Sequence, residues 1–464
     1  MNKYINKIII LSMATCAVGL TSCKDEPDKY ETTSGKPVVN YIRCLSSEVV
    51  GQQDDETTKY TNGELVESAY PSSTLCLVGE NLRSIVKIFF NDLEANLNTS
   101  YTTDNTLIVN VPGSVPGKVS DKMYLITSDK DTVSVDFKVI ISAPKLVSMS
   151  CEYAPNGSTA TIYGSYIIDD PEKPLTVVFK DAAGQDLPAN DVTVASDYAS
   201  VSFTVPEGAV EGPINVTSVY GTAKAPFQYC DTRGLLFDFD GQTGLGNHGW
   251  HDRVITSDET SITGKFVQLG DGTAALSEDA GWDDGNFSFE YWCGSWDTPQ
   301  NVDSGEGIAL NNLVDFSNWE SMSLKFEMFI PKSSPWKAGA MQIAFEGYDR
   351  VTISGNPIDG YSGAVAGANA WIFNGENGQG NYGRALYRPW TTTGSFDTND
   401  EWITVTIPLN NFIYDKDGGT TGVETPKSAA DFASLTFFVM GGGIKGEACT
   451  PWIKIDNIRA VPNK

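Results

Sequence analysis

At 464 residues the chain is too long for one compact core, and its 41% hydrophobic content with 44 glycines and 22 prolines among many Thr, Val and Tyr suits strands joined by turns. A formal charge of −27 at pH 7 repels phosphate backbones and anionic headgroups. Nucleic acid and electrostatic membrane docking are therefore disfavoured, and a neutral ligand is expected.

The chain opens with Lys3 and Lys7, then a short apolar run from Ile8 to Leu20, then Thr21 and Ser22 before Cys23. This resembles a bacterial lipoprotein signal, which implies loss of residues 1–22 and a lipid on Cys23. The run is shorter than the roughly 20 apolar residues a membrane-spanning helix needs, and no later stretch approaches that length. An anchored chain is expected, not a threaded one. Lys24-Asp25-Glu26 looks like the acidic export signal of outer-membrane lipoproteins from gut anaerobes. That implies an outer-membrane location facing the exterior, with the periplasm as the alternative, and residues 23–37 read as a polar tether.

Beyond the signal stand Cys44, Cys76, Cys151, Cys230, Cys293 and Cys449, with no short CxxC spacing, so a zinc cluster is not expected. Disulfides such as Cys44 with Cys76 or Cys293 with Cys449, and buried free thiols, both fit this pattern.

From Pro37 the chain reads as short strands: residues 73–82, 85–92, 106–112, 122–129 and 133–140 alternate apolar with polar and are separated by turn formers. Ala143-Pro144-Lys145 restarts a similar order at 159–167, 175–184, 199–206 and 212–221. In both halves a strand reaches a Gly before polar residues, at Val78-Gly79-Glu80 and Tyr163-Gly164-Ser165, and a second strand ends at Asn91-Asp92 or Lys180-Asp181. These segments, 38–142 and 143–230, resemble immunoglobulin-like domains of the plexin and transcription factor (IPT/TIG) type, which implies spacers. Pro144 suggests limited freedom at the first junction, and Asp231-Thr232-Arg233-Gly234 suggests more at the second.

All ten tryptophans lie between residues 231 and 464. Longer alternating strands at 235–241, 321–331, 340–349, 401–409, 434–442 and 451–461 predict a jelly roll there. The opening FDFDG and the last strand, with Ile453, Ile455 and Ile458 around Asp456-Asn457, are similar to β-jelly-roll carbohydrate-binding modules. The expected fold is all-β: two tandem immunoglobulin-like sandwiches followed by a carbohydrate-binding jelly roll.

This order of parts resembles surface glycan-binding protein B, the non-catalytic member of glycan-uptake systems. The resemblance implies a polysaccharide ligand such as xyloglucan or another β-glucan, and a neighbouring importer and endo-glycanase as partners. It implies no cofactor, and it admits a structural calcium ion to which Asp238, Asp240 and Asp456 would contribute, although no loop spacing identifies such a site. A flat indole can cover the C–H face of a pyranose while amides and carboxylates take the hydroxyl rim.

Turn-like surroundings single out Trp296, Trp336 and Trp371 as platforms, with Trp292 in reserve because one of Tyr291 and Trp292 must face inward. Asp297, Asn301, Lys337, Glu346, Asn374 and Arg384 are the candidate hydroxyl partners, against the alternative that loop polars are merely solvated. Trp402 and Trp452 sit in strand patterns and are expected in the core, while Trp319 is expected to plug one end of the sandwich. Two other functions compete: an adhesin recognising host protein or mucin glycan, and a glycoside hydrolase. For the hydrolase, the 59 acidic residues allow carboxylate pairs anywhere and decide nothing.

Overall fold

The computed structural model describes residues 30–46, 63–249, 252–293, 307–347 and 383–463. Strands are their main regular element, and the single α-helical turn among them is Asp284–Phe287. No described helix is long and apolar enough to cross a membrane.

The chain divides into two compact units, one ending at Ser142 with Asp170–Glu172 added, the other holding the rest from Ala143 onward. In the first unit, a sheet ordered Glu64–Leu65, Val38–Ser46, Thr74–Glu80, Thr106–Asn110 accompanies a second ordered Leu93–Ala95, Ile85–Phe90, Lys122–Thr127, Thr132–Asp136. Period-two patterning buries one face of each, as in Thr74–Glu80, where Leu75, Leu77 and Gly79 are buried in alternation. Gly79 pairs with Val39, and a methyl group built on it would overlap the carbonyl oxygen of Val38.

The second unit begins with the same construction. Lys145–Met149, Thr159–Ser165, Ser200–Thr204 and Asn190–Val194 form one sheet, and Asp186–Pro188, Thr176–Lys180, Val210–Ser218 and Gly221–Tyr229 the other. Gly164 pairs with Leu146, and a methyl there would overlap the Lys145 carbonyl oxygen. The repeated glycine is thus a repeated close approach of two backbones.

The remainder is a larger sandwich. One sheet runs Ile255–Thr256, Phe266–Leu269, Ile453–Pro462, Met322–Phe329, Ile403–Pro408, with Leu235–Phe237 also paired to the last strand of the chain. The other runs Ser288–Tyr291, Ser434–Met440, Ala340–Glu346, Ala385–Tyr387. Their facing sides form one continuous core, with Phe237, Phe289, Phe326 and Phe437 in edge-to-face contacts at 5.2 to 5.4 Å among its aromatics. Both long strands Met322–Phe329 and Ala340–Glu346 are buried along their whole length, on both faces.

Candidate functional site

A two-sheet sandwich has two outer faces, and here they differ in what covers them. On the six-stranded sheet Arg459 donates to Glu327 at 2.7 and 3.1 Å and to Glu152 at 2.8 Å, and Lys325 donates to Glu152 at 2.5 Å. Burial alone would lower the Arg459 pKa, but the carboxylates of Glu327 and Glu152 hold it raised. The Thr404 hydroxyl donates to Glu327 at 2.9 Å and accepts the Glu152 N–H at 2.7 Å, while the Thr404 N–H meets the Ser150 carbonyl at 2.9 Å. The Arg459 guanidinium lies 4.8 Å over the Tyr153 ring, and the Tyr153 hydroxyl donates to the Asp231 carbonyl. The face is therefore closed by residues 150–153 of the preceding sandwich. The freer junction expected at Asp231–Gly234 is overturned: two buried acids and two buried bases span it, an arrangement that tolerates no separation.

The outer face of the four-stranded sheet carries a different set of side chains. Alternation sends Phe289, Tyr291, Leu435 and Phe437 into the core. It turns Ser288, Glu290, Thr436, Gln342 and Glu346 the other way. Register sets Glu290 opposite Thr436 and Glu346 opposite Ser434. Arg384 donates to the Gln342 Oε1 at 2.9 Å, and the Gln342 amide nitrogen donates to the carbonyls of Met440 and Lys416 at 2.8 and 3.0 Å. Arg253 donates to the Ser288 hydroxyl at 2.5 Å, and that hydroxyl donates to Glu290 at 3.2 Å.

Two charges on this face are strongly perturbed. Burial lowers the Arg384 pKa to about 10. Burial also raises Glu346 well above the usual carboxylate range, and the Glu290 charge adds to the rise while Thr436 and Arg384 oppose it. The Glu346 side chain is buried beside the Thr436 hydroxyl, whose hydrogen bond limits the rise.

At the margin of the face stands Trp282, 39% exposed, with its ring centroid 4.6 Å from that of Phe438 at 33°. The Asp283 side chain caps the helical turn that follows by accepting the Asn286 N–H at 3.1 Å, which fixes the backbone next to the indole. A flat, partly exposed apolar ring at the sheet margin suits the apolar face of a ring-shaped ligand.

Among the described residues, Trp292, Lys337, Glu346, Arg384 and Trp336 test the sequence reading; Trp296, Asp297, Asn301, Trp371 and Asn374 lie outside them. The two stretches that hold those five, 294–306 and 348–382, are joined in sequence to strands of this sheet. Trp292 lies on the outer side of the sheet but is buried there, its indole donating to the Thr436 hydroxyl at 3.2 Å. Trp336 is corrected outright: it is fully buried, its indole donates to the Ala338 carbonyl at 2.5 Å, and its backbone bridges Phe396. Lys337 instead forms a surface pair with Glu447 at 3.5 Å. Glu346 and Arg384, expected as hydroxyl partners beside the rings, are buried, because this sheet is covered on both sides.

Trp402 and Trp452 are half-buried, donating to Thr260 at 2.6 Å and to Gln268 at 3.3 Å. All six remaining cysteines are free. Cys44 pairs in register with Leu75, not Cys76, and is buried while Cys76 is half-exposed, so adjacent strands point the two thiols to opposite sides. Among the described residues no three His, Cys, Asp or Glu side chains gather as metal ligands. Asp456 accepts from Thr263 at 2.7 Å, and Asp240 accepts the Lys265 N–H at 2.9 Å. Trp282, Phe438, Glu290, Gln342 and Thr436 were missed, although Trp282 lies in the Gly- and Asp-rich DAGWDDG, the same turn signal that selected other tryptophans.

Residues 229–462 match the surface glycan-binding protein B xyloglucan binding domain. The crystal structure of a surface glycan-binding protein B from Prevotella bryantii is 43% identical, with a TM-score of 0.79, covering 93% of this chain and 100% of that one. A surface glycan-binding protein B from a complex xyloglucan utilization locus of Bacteroides uniformis is 15% identical, with a TM-score of 0.40, covering 92% of this chain and 100% of that one. An IPT/TIG domain-containing protein of Bacteroides ovatus is 20% identical over 309 residues, which are 63% of this chain and 58% of that protein's length.

Proposed function

This chain belongs to the surface glycan-binding protein B family, and from that premise we propose that it holds a β-glucan of the xyloglucan or mixed-linkage type without cleaving it. The observation that carries the reading is the partly exposed Trp282 ring, packed on Phe438 at the margin of the four-stranded sheet. Trp296 and Trp371, which lie outside the described residues, are further platforms in this reading. If one indole hides about 100 Å² of ligand surface, it stabilises the complex by roughly 2.5 kcal/mol. Two or three such contacts, after association costs, give affinities from about millimolar to micromolar.

The rest of the architecture follows the same reading. Segments 38–142 and 143–230 are spacers, and Cys23 carries a lipid that fixes the protein to the outer membrane, facing outward. An importer and an endo-glycanase act on the held polymer. Affinity electrophoresis of the chain from residue 24 onward, over a panel of soluble polysaccharides, tests this. Retardation by xyloglucan or mixed-linkage glucan with no release of reducing ends is expected. Released reducing ends would make it a hydrolase, and indifference to every glucan would favour an adhesin.

A further inference from the structure

Seven of the tryptophans in the larger sandwich fall among the described residues, and the fate of the indole N–H separates them. The N–H groups of Trp292, Trp336, Trp390, Trp402 and Trp452 each reach an acceptor inside the protein. Trp319 is half-buried, and its N–H reaches none among the described residues. A half-buried indole that packs on one side and leaves its donor unused is placed as a recognition group.

The space beside it supports that role. Trp319 lines a cleft of about 500 Å³, within the ~300–1,000 Å³ of small-molecule sites. The cleft lies where Met322–Phe329 begins and Ile403–Pro408 ends, and it shares no residue with the face around Trp282. Its floor is Leu409 and Phe412, both fully buried in the sandwich core. Ring contacts hold the indole in place: Trp319 lies 5.7 Å from Phe432 at a 42° tilt, and Phe432 is stacked on Phe316 at 4.6 Å and 3°. The rim is Glu320, Ser321, Asn410 and Thr425, all exposed, and none of their side chains bonds within the described protein. An apolar floor, an aromatic wall and a rim of one amide, two hydroxyls and a single carboxylate match a neutral pyranose and repel an anionic ligand.

We propose that this cleft is a second saccharide site, binding one or two sugar units of the same polymer more weakly than the sheet face. The proposal rests on the β-glucan reading above. Calorimetric titration of the chain from residue 24 with a xyloglucan oligosaccharide and with cellohexaose tests it. Two sites per chain are expected, the weaker lost in Trp319→Ala and weakened about fivefold in Trp319→Phe, which keeps the ring contact with Phe432 but removes the donor. Should Trp319→Ala fail to fold, Asn410→Ala with Thr425→Val, both at exposed positions, carries the test and should also remove the weaker site. Trp282→Ala should leave that site intact. A single site untouched by the cleft variants would overturn the proposal while leaving the β-glucan reading in place. Absence of any binding would overturn both.

Discussion

At the scale of single residues, the contrast between Trp282 and Trp336 shows what decides whether an indole is open to a ligand. Trp282 is 39% exposed and packed at a 33° tilt against Phe438. Trp282→Ala should weaken glucan retention by roughly tenfold or more with little change in melting temperature, as affinity gels and thermal melts would show. Trp336→Ala should do the reverse. Emptying a fully buried indole site costs about 3–5 kcal/mol, and in a domain this size each kcal/mol shifts Tm by ~2–4 °C, so a drop on the order of 10 °C is expected. The sequence made both look alike, since Pro335 and Gly339 around Trp336 are turn formers as much as Gly281 beside Trp282 is. Trp336 is held inward by a backbone bridge to Phe396 sixty residues away, which no local pattern encodes, and its indole finds the Ala338 carbonyl.

Asp456 gives a second prediction at this scale. Burial raises its pKa to about 8, against bonds from Thr263 and the Asn457 N–H that oppose the rise. A carboxyl whose folded pKa lies above its unfolded value stabilises most when protonated. Its contribution is complete below about pH 4 and is lost as pH climbs toward 8. Asp456→Asn should therefore raise Tm at pH 8 relative to the parent and flatten the decline between pH 4 and 8. Parallel slopes in the two proteins would contradict this.

At the scale of elements, most strands were legible because apolar alternation survives wherever one face is buried. The expected run 434–442 contains the observed Ser434–Met440, and 451–461 covers all but the last residue of Ile453–Pro462. The run expected at 235–241 stops at Phe237, because Phe239 takes a positive φ of 56° that strand pairing cannot accommodate. Which face each sheet offers outward was not legible, since both faces of Met322–Phe329 and Ala340–Glu346 are buried for different reasons. The repeat in the first half was legible through its glycines, and it makes a matched prediction. Gly79→Ala and Gly164→Ala each force a methyl against a facing carbonyl and should cost about 1–3 kcal/mol, read as a fall in the midpoint of urea unfolding. A neutral result at either position would mean that the first strand can move away freely.

At the scale of the molecule, the decisive feature is the charge set of Glu152, Lys325, Glu327 and Arg459. Composition suggested a tether at Asp231–Gly234, because Asp, Thr, Arg and Gly are linker residues by type. The acid that closes the junction lies 307 positions from its arginine, which no window of sequence can reveal. A fragment beginning at Ala143 keeps the set whole, whereas one beginning at Asp231 strips Arg459 and Lys325 of Glu152. Removing one partner from a buried pair costs about 3–5 kcal/mol, so the shorter fragment should melt on the order of 10 °C lower. Equal melting temperatures would show that water replaces the carboxylate at no cost.

The same ionic set bears on how such a protein can be recombined. A chimaera that borrows only residues 231–464 inherits a cationic socket shaped for a carboxylate that its new neighbour lacks, so the smallest graft that carries its own counterion begins at Ala143.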